Sequence, residues 1–82
     1  MFEKYLYKGE NITLDILIKI EQVVRLIEKY SYRSFDDCLC DFLHSNVYDA
    51  LRKPDSLMWS ENAEFILDEY YRELACREQY YQ

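Results

Sequence analysis

The chain of 82 residues contains one glycine, one proline and one histidine, which are Gly9, Pro54 and His44. A loop that cradles phosphate needs several glycines whose backbone approaches the ligand, and a single glycine cannot build one. A catalytic histidine needs a nucleophile and an oxyanion donor beside it. The nearest hydroxyl in sequence, Ser45, points away from His44 if both lie on a helix. These shortages argue against an enzyme and against a bound cofactor.

The three cysteines have no spacing that suits a metal site. Cys38 and Cys40 point about 200° apart on a helix, which is poor geometry for chelation. Cys40 and His44 share a face and Cys76 could join them, but no second C-x-x-C or H-x-x-x-H follows. The sequence therefore predicts no bound metal and three reduced thiols. With no signal segment and no apolar run long enough to cross a bilayer, we expect a cytoplasmic protein without membrane contact.

The formal charge of −6 is concentrated towards the C-terminus. Residues 1–32 hold five basic and five acidic groups, residues 33–57 three and five, and residues 58–82 two and six. Binding to DNA or RNA needs clustered positive charge, and the basic residues here are scattered and outnumbered. We therefore expect no direct nucleic-acid binding and a protein partner with a basic surface.

Nine tyrosines give the chain a high aromatic content for its size. Tyrosine is amphipathic, so these side chains could cover the edge of a thin core or anchor an interface, and the sequence leaves both open. A domain this small buries only roughly 60–65% of its unfolded surface. A bound partner or self-association into a homo-oligomer would therefore stabilise it.

Residues 13–31 have the pattern of an amphipathic helix, with Thr13 as the expected N-cap. Ser34 is a second helix start, followed by acidic residues and an apolar face over 35–43. Polar residues at 44–46 predict a break, with Asn46 capping a short helix that ends before Pro54. The core face expected on the first helix comprises Ile16, Leu17, Ile20, Val23, Val24, Ile27 and Tyr30.

Residues 54–60 form an apolar loop that either staples helices together or binds a partner. Trp59 lies at its end, just before Ser60, the expected N-cap of a last helix over 61–80. Residues 1–10 suit a short strand or turn. The sequence thus predicts one all-α domain over 1–82, a small bundle of three main helices with the middle helix broken.

The chain resembles small helical bacterial proteins of uncharacterised function that are associated with toxin–antitoxin operons. The resemblance covers roughly the C-terminal two-thirds and is carried by SFDD at 34–37, FLHSNVYDAL at 42–51, LMWS at 57–60 and YYREL at 70–74. It implies a small protein partner and transfers no catalytic residue. A phage-borne inhibitor of a host defence protein has the same small, acidic and aromatic-rich profile.

The sequence therefore favours a non-enzymatic binding module, antitoxin-like or inhibitor-like, that occludes a basic site on its partner. Acidic groups along the outer side of the last helix would steer association, and aromatic residues would supply the buried contact area. A DNA-binding regulator is the alternative, but it requires a basic recognition helix. The residues predicted to bind the partner are Trp59, Glu64, Asp68, Glu69, Tyr71 and Glu73.

Overall fold

A computed structural model of the chain describes residues 5–80, and for residues 78–80 it describes the backbone alone. Four helices and a two-stranded hairpin make up the regular structure of this part of the chain, which confirms the predicted helical class. The elements are β1 (Leu6–Tyr7), β2 (Glu10–Asn11), α1 (Thr13–Ser31), α2 (Phe35–Leu43), α3 (Asn46–Leu51) and α4 (Ala63–Tyr80), with 3₁₀ turns at Pro54–Ser56 and Met58–Ser60.

The N-terminal segment, for which the sequence predicts a short strand or a turn, forms a β-hairpin in its described residues. β1 and β2 pair antiparallel, with Leu6 opposite Asn11 and Tyr7 opposite Glu10. Lys8 and Gly9 form the two-residue turn with φ of 49° and 83°. Two successive positive φ values are typical of a type I′ turn, which matches the twist of paired strands and explains the glycine. Residues 1–4 lie outside the described part.

Helix α1 begins where the sequence predicts, but Thr13 is not its N-cap. Ile12 occupies the cap position without a side-chain cap. The Thr13 hydroxyl instead accepts the backbone N–H of Tyr5 at 2.8 Å, and Asn11 Oδ1 accepts the N–H of Thr13 at 3.0 Å. The predicted cap is wrong because the hairpin packs against the start of the helix, and the Tyr5 N–H occupies the Thr13 hydroxyl oxygen that would otherwise cap α1.

Between the helices lies one core, to which α1 contributes four buried side chains. Ile20 is half-buried. Leu17 and Tyr30 are 44% and 58% exposed, so the predicted core face was too wide at both edges. The buried hydrophobic residues are Ile12, Ile16, Val23, Val24, Ile27, Cys38, Phe42, Val47, Leu51, Ile66, Leu67 and Tyr70.

The break between α2 and α3 is made by Ser45. Ser34 caps α2 as predicted, since its hydroxyl accepts the N–H of Asp37 at 3.2 Å. Ser45, not Asn46, caps α3: its hydroxyl accepts the N–H of Tyr48 at 3.0 Å and donates to the Phe42 carbonyl at 2.6 Å. This hydroxyl is buried and bonded on both sides, which a buried polar group requires.

The loop after α3 staples the hairpin to the bundle. The Trp59 indole N–H donates to the Pro54 carbonyl at 2.9 Å, and its ring meets Tyr7 edge-to-face at 5.6 Å. Ser60 does not cap α4. The Asn62 side chain does, because its Oδ1 accepts the N–H of Phe65 at 2.8 Å.

Candidate functional site

Groups that could do covalent chemistry are separated or already bonded. His44 Nδ1 lies 2.7 Å from the Cys40 carbonyl, which can only accept, so Nδ1 carries the proton. The Ser45 hydroxyl is held by Phe42. Cys38 is buried, while Cys40 and Cys76 are exposed. Within the described residues, no three His, Cys, Asp or Glu side chains lie close enough together to hold a metal ion.

Three of the six predicted binding residues share one exposed face of α4. Glu64, Asp68 and Tyr71 follow one another at steps of four and three, so they form a line along the helix. Phe65, which is 45% exposed, lies beside Asp68 on the side of the helix away from Tyr71. We call these four residues the α4 face. They span about 120° of the helix circumference and place one aromatic ring on each side of the two carboxylates.

The carboxylates of the α4 face are only partly neutralised. Arg72 lies 3.2 Å from Asp68 and 3.5 Å from Glu69, so one guanidinium serves two acidic groups. Glu64 makes no ion pair with any described residue. All these pairs are exposed and therefore weak, and a competing cation from a partner could replace them at little cost. The face keeps a net negative charge.

Glu73 does not belong to this exposed acidic surface, contrary to the sequence prediction. Its side chain is 12% exposed and forms a salt bridge with Arg77. Its carboxylate accepts the backbone N–H groups of Asn46 and Val47, both at 3.0 Å. The first N–H groups of a helix have no partner within that helix. The Glu73 carboxylate, on α4, is the acceptor for these N–H groups of α3. The side chain therefore lies between α3 and α4 and not on the outer side of α4.

Of the other two predicted residues, Trp59 lies away from the α4 face, and Glu69 borders it one turn after Phe65. Trp59 is half-buried against the hairpin and holds the loop in place. Glu69 lies at the edge of a groove of about 310 Å³ between α3 and α4. The apolar side chains of that groove come from Val47, Ala50 and Met58.

Tyr71 lies at the edge of the core, next to the buried Tyr70. Partial burial raises the pKa of the Tyr71 phenol, and the neighbouring Cys38 and Tyr30 raise it further. Tyr70 packs edge-to-face on Phe42 at 5.4 Å, and its pKa is raised by burial and then by Asp41. Tyr70 therefore belongs to the core, whereas Tyr71 remains 38% exposed and can contact a partner.

The predicted binding residues leave out several exposed apolar residues, among them Phe65 and a patch on α1. Phe65 falls outside the core stripe of α4, and a large aromatic off the stripe was the signal that could have identified it. On α1, Leu14, Leu17 and Ile18 are 67%, 44% and 47% exposed and adjacent on the helix surface.

Comparison with known proteins adds no relative. The chain matches no family model, no curated protein and no solved structure. The α4 face is therefore interpreted from its own chemistry. No described helix has the length and apolar character needed to cross a membrane.

Proposed function

We propose that this protein is a non-enzymatic binding module that covers a basic functional surface of another protein, as an antitoxin or inhibitor does. The observation that supports this most directly is the composition of the α4 face. Phe65 and Tyr71 are 45% and 38% exposed on either side of Glu64 and Asp68. Large aromatic side chains that stay partly exposed beside carboxylates suit an interface.

The two kinds of side chain have separate tasks in this proposal. Aromatic anchors supply most of the binding free energy because they bury a large area with few rotatable bonds. Carboxylates supply long-range attraction, which raises the association rate and selects a basic partner. The charge of −6 on the whole chain strengthens that attraction.

Antitoxin and phage-type inhibitor differ in the partner and not in the way the α4 face works. The resemblance to proteins of toxin–antitoxin operons favours the first. A DNA-binding regulator is less consistent with α4, whose two arginines, Arg72 and Arg77, are both paired with carboxylates. A cytoplasmic location belongs to the same proposal, since Cys38, Cys40 and Cys76 are free thiols.

The test is a comparison of bait proteins in lysate of the native host. Wild type, Phe65→Ala and Glu64→Lys are immobilised, and captured proteins are quantified by mass spectrometry. Asp55→Lys, at an exposed acidic residue of the turn Pro54–Ser56, is a charge-matched control for Glu64→Lys. We expect a basic protein that wild type and the control retain and both α4 variants lose. The purified partner should then be inhibited by wild type. Equal capture by all four baits would refute the proposal.

A further inference from the structure

A cleft of about 370 Å³ between α1, α2 and α4 has a lining that differs from the acidic surface around it. The buried Ile27 and the half-buried Leu74 supply apolar surface, and the exposed Arg33, Asp41 and Arg77 supply charge. Two guanidinium groups thus face one carboxylate, on a chain whose formal charge is −6. We call this cavity the Tyr70 cleft, after the tyrosine in its lining.

The Tyr70 hydroxyl has no partner among the described residues, although its side chain is buried. The residue is 3% exposed, and its hydroxyl forms no hydrogen bond with any described residue. No fully enclosed side-chain oxygen or nitrogen in the described part of the chain lacks a partner, so this hydroxyl opens into the cleft. A phenol O–H in such a place normally finds an acceptor. Its hydrogen bond is therefore available to a molecule that enters the cleft.

The charged groups of the cleft lie close to this phenol. Burial raises the pKa of Tyr70, Asp41 and Glu73 raise it further, and Arg77 and Arg33 lower it. Such effects weaken with distance, so both guanidinium groups lie near the Tyr70 hydroxyl. Three groups that can donate hydrogen bonds therefore converge on one cavity.

Both guanidinium groups keep donors that their carboxylate partners do not use. Arg33 binds Asp41 through Nη1, and Arg77 binds Glu73 through Nη2. An arginine carries five N–H donors, so most of each guanidinium remains available. The two carboxylates are neutralised by these bonds, and Glu73 also accepts two backbone N–H groups. Their repulsion of an anion in the cleft is correspondingly reduced.

This arrangement suits an organic anion of one negative charge. A guanidinium matches a planar carboxylate with parallel N–H donors, and a phenol O–H adds a charge-assisted hydrogen bond. The excess of one positive charge in the lining favours a monovalent anion over a divalent one. The apolar surface of Ile27 and Leu74 suits a hydrocarbon body, as in most sites for small molecules.

We propose that the Tyr70 cleft binds a small carboxylate ligand with an apolar body, which accepts hydrogen bonds from the Tyr70 hydroxyl and from the guanidinium groups of Arg33 and Arg77. This site goes beyond the proposed function and does not depend on it. The ligand is a small molecule and not the partner protein, although Tyr71 lines the cleft and also belongs to the α4 face.

The test is a titration of the purified, ¹⁵N-labelled protein with benzoate, followed by two-dimensional NMR. Benzoate carries the carboxylate on an apolar ring, and benzamide is a neutral control of the same shape. Benzoate should shift the signals of Leu74 and of the Arg33 and Arg77 Nε–H groups with a Kd on the order of 1 mM, a typical affinity for so small a ligand. Benzamide should bind at least about ten-fold more weakly. Equal binding of the two compounds, or shifts that do not saturate with benzoate, would overturn the site.

Two variants test the donors. Tyr70→Phe keeps the ring, and its melting temperature should be close to that of wild type because the hydroxyl bonds no described residue. Its affinity for benzoate should fall about ten-fold. Arg33→Gln, at an exposed residue, should weaken binding by a similar factor.

Two control variants should bind benzoate as wild type does. Arg52→Gln makes the same change of charge at an exposed arginine outside the cleft, and Phe65→Ala alters only the α4 face. Wild-type affinity in Tyr70→Phe or in Arg33→Gln would overturn the proposed site. An equal loss in Arg52→Gln would overturn it too, because it would show a general effect of charge.

Discussion

The carboxylate of Glu73, on α4, accepts the backbone N–H of Val47 at 3.0 Å, although Val47 lies 26 residues earlier in the chain. The other carboxylate oxygen accepts the N–H of Asn46. A helix of six residues has little stability of its own, so α3 depends on bonds supplied from outside it. One acidic side chain thereby fixes the position of α3 against α4.

Replacing Glu73 with alanine should destabilise the fold. Two N–H groups and Arg77 lose their acceptor, and we expect the free energy of unfolding to fall by about 1–3 kcal/mol in urea denaturation. Glu69→Ala, four residues earlier and paired only with Arg72 at the surface, should cost under about 0.5 kcal/mol. Equal losses at the two positions would contradict the capping role.

Ser45→Ala should be more damaging than Asn46→Ala. The Ser45 hydroxyl bonds both Tyr48 and Phe42, and its removal leaves a buried carbonyl and an N–H with weaker partners. The expected loss is about 1–2 kcal/mol by thermal or chemical denaturation. Asn46 contributes only its backbone N–H to the Glu73 bond, so the alanine variant should be close to wild type. The opposite order would restore Asn46 as the cap.

Stability should fall as the pH rises above about 10, the ordinary pKa of tyrosine. Burial raises the folded-state pKa of Tyr70, so the unfolded chain releases this proton first. Above the unfolded pKa, loss of this proton stabilises the unfolded state while the native state still holds its proton. The stabilisation of the native state is therefore complete below the unfolded pKa and is lost as the pH rises towards the folded pKa. Urea denaturation from pH 8 to pH 11 measures this loss. Tyr70→Phe, which keeps the ring, should lose less stability over that range than wild type.

Substitutions on the α4 face should affect different rate constants of partner binding. Glu64→Lys should slow association, most strongly at low salt, because it reverses a charge that pairs with no described residue. Phe65→Ala should mainly speed dissociation, because it removes contact area. Surface plasmon resonance with the captured partner separates the two rates. A slower association for Phe65→Ala with unchanged dissociation would show that these tasks are assigned wrongly.

Sequence periodicity was sufficient for the helices and insufficient for most of their N-caps. The bounds of α1 were predicted correctly because its apolar residues repeat over several turns. The caps at Thr13 and Asn46 were wrong because the deciding hydrogen bonds involve other groups, the Tyr5 N–H and the Ser45 hydroxyl. Local spacing contains no information about such partners.

The candidate site was predictable to the extent that it depends on one helix. Glu64, Asp68 and Tyr71 share a face because of helical geometry alone. Glu73 was wrongly placed on the outer side of α4, because its inward position depends on where α3 packs. Trp59 was recognised as either a staple or an anchor, and its bond to Pro54 and its contact with Tyr7 account for the first role.

The contact between Trp59 and Tyr7 also provides an optical reporter. Trp59 is the sole tryptophan of the chain, and its indole joins the N-terminal hairpin to the loop before α4. Its fluorescence therefore follows the closure of a long segment of chain, whereas circular dichroism follows the helices. Because closing a long loop is entropically costly, we expect the fluorescence to recover after the helical signal during refolding.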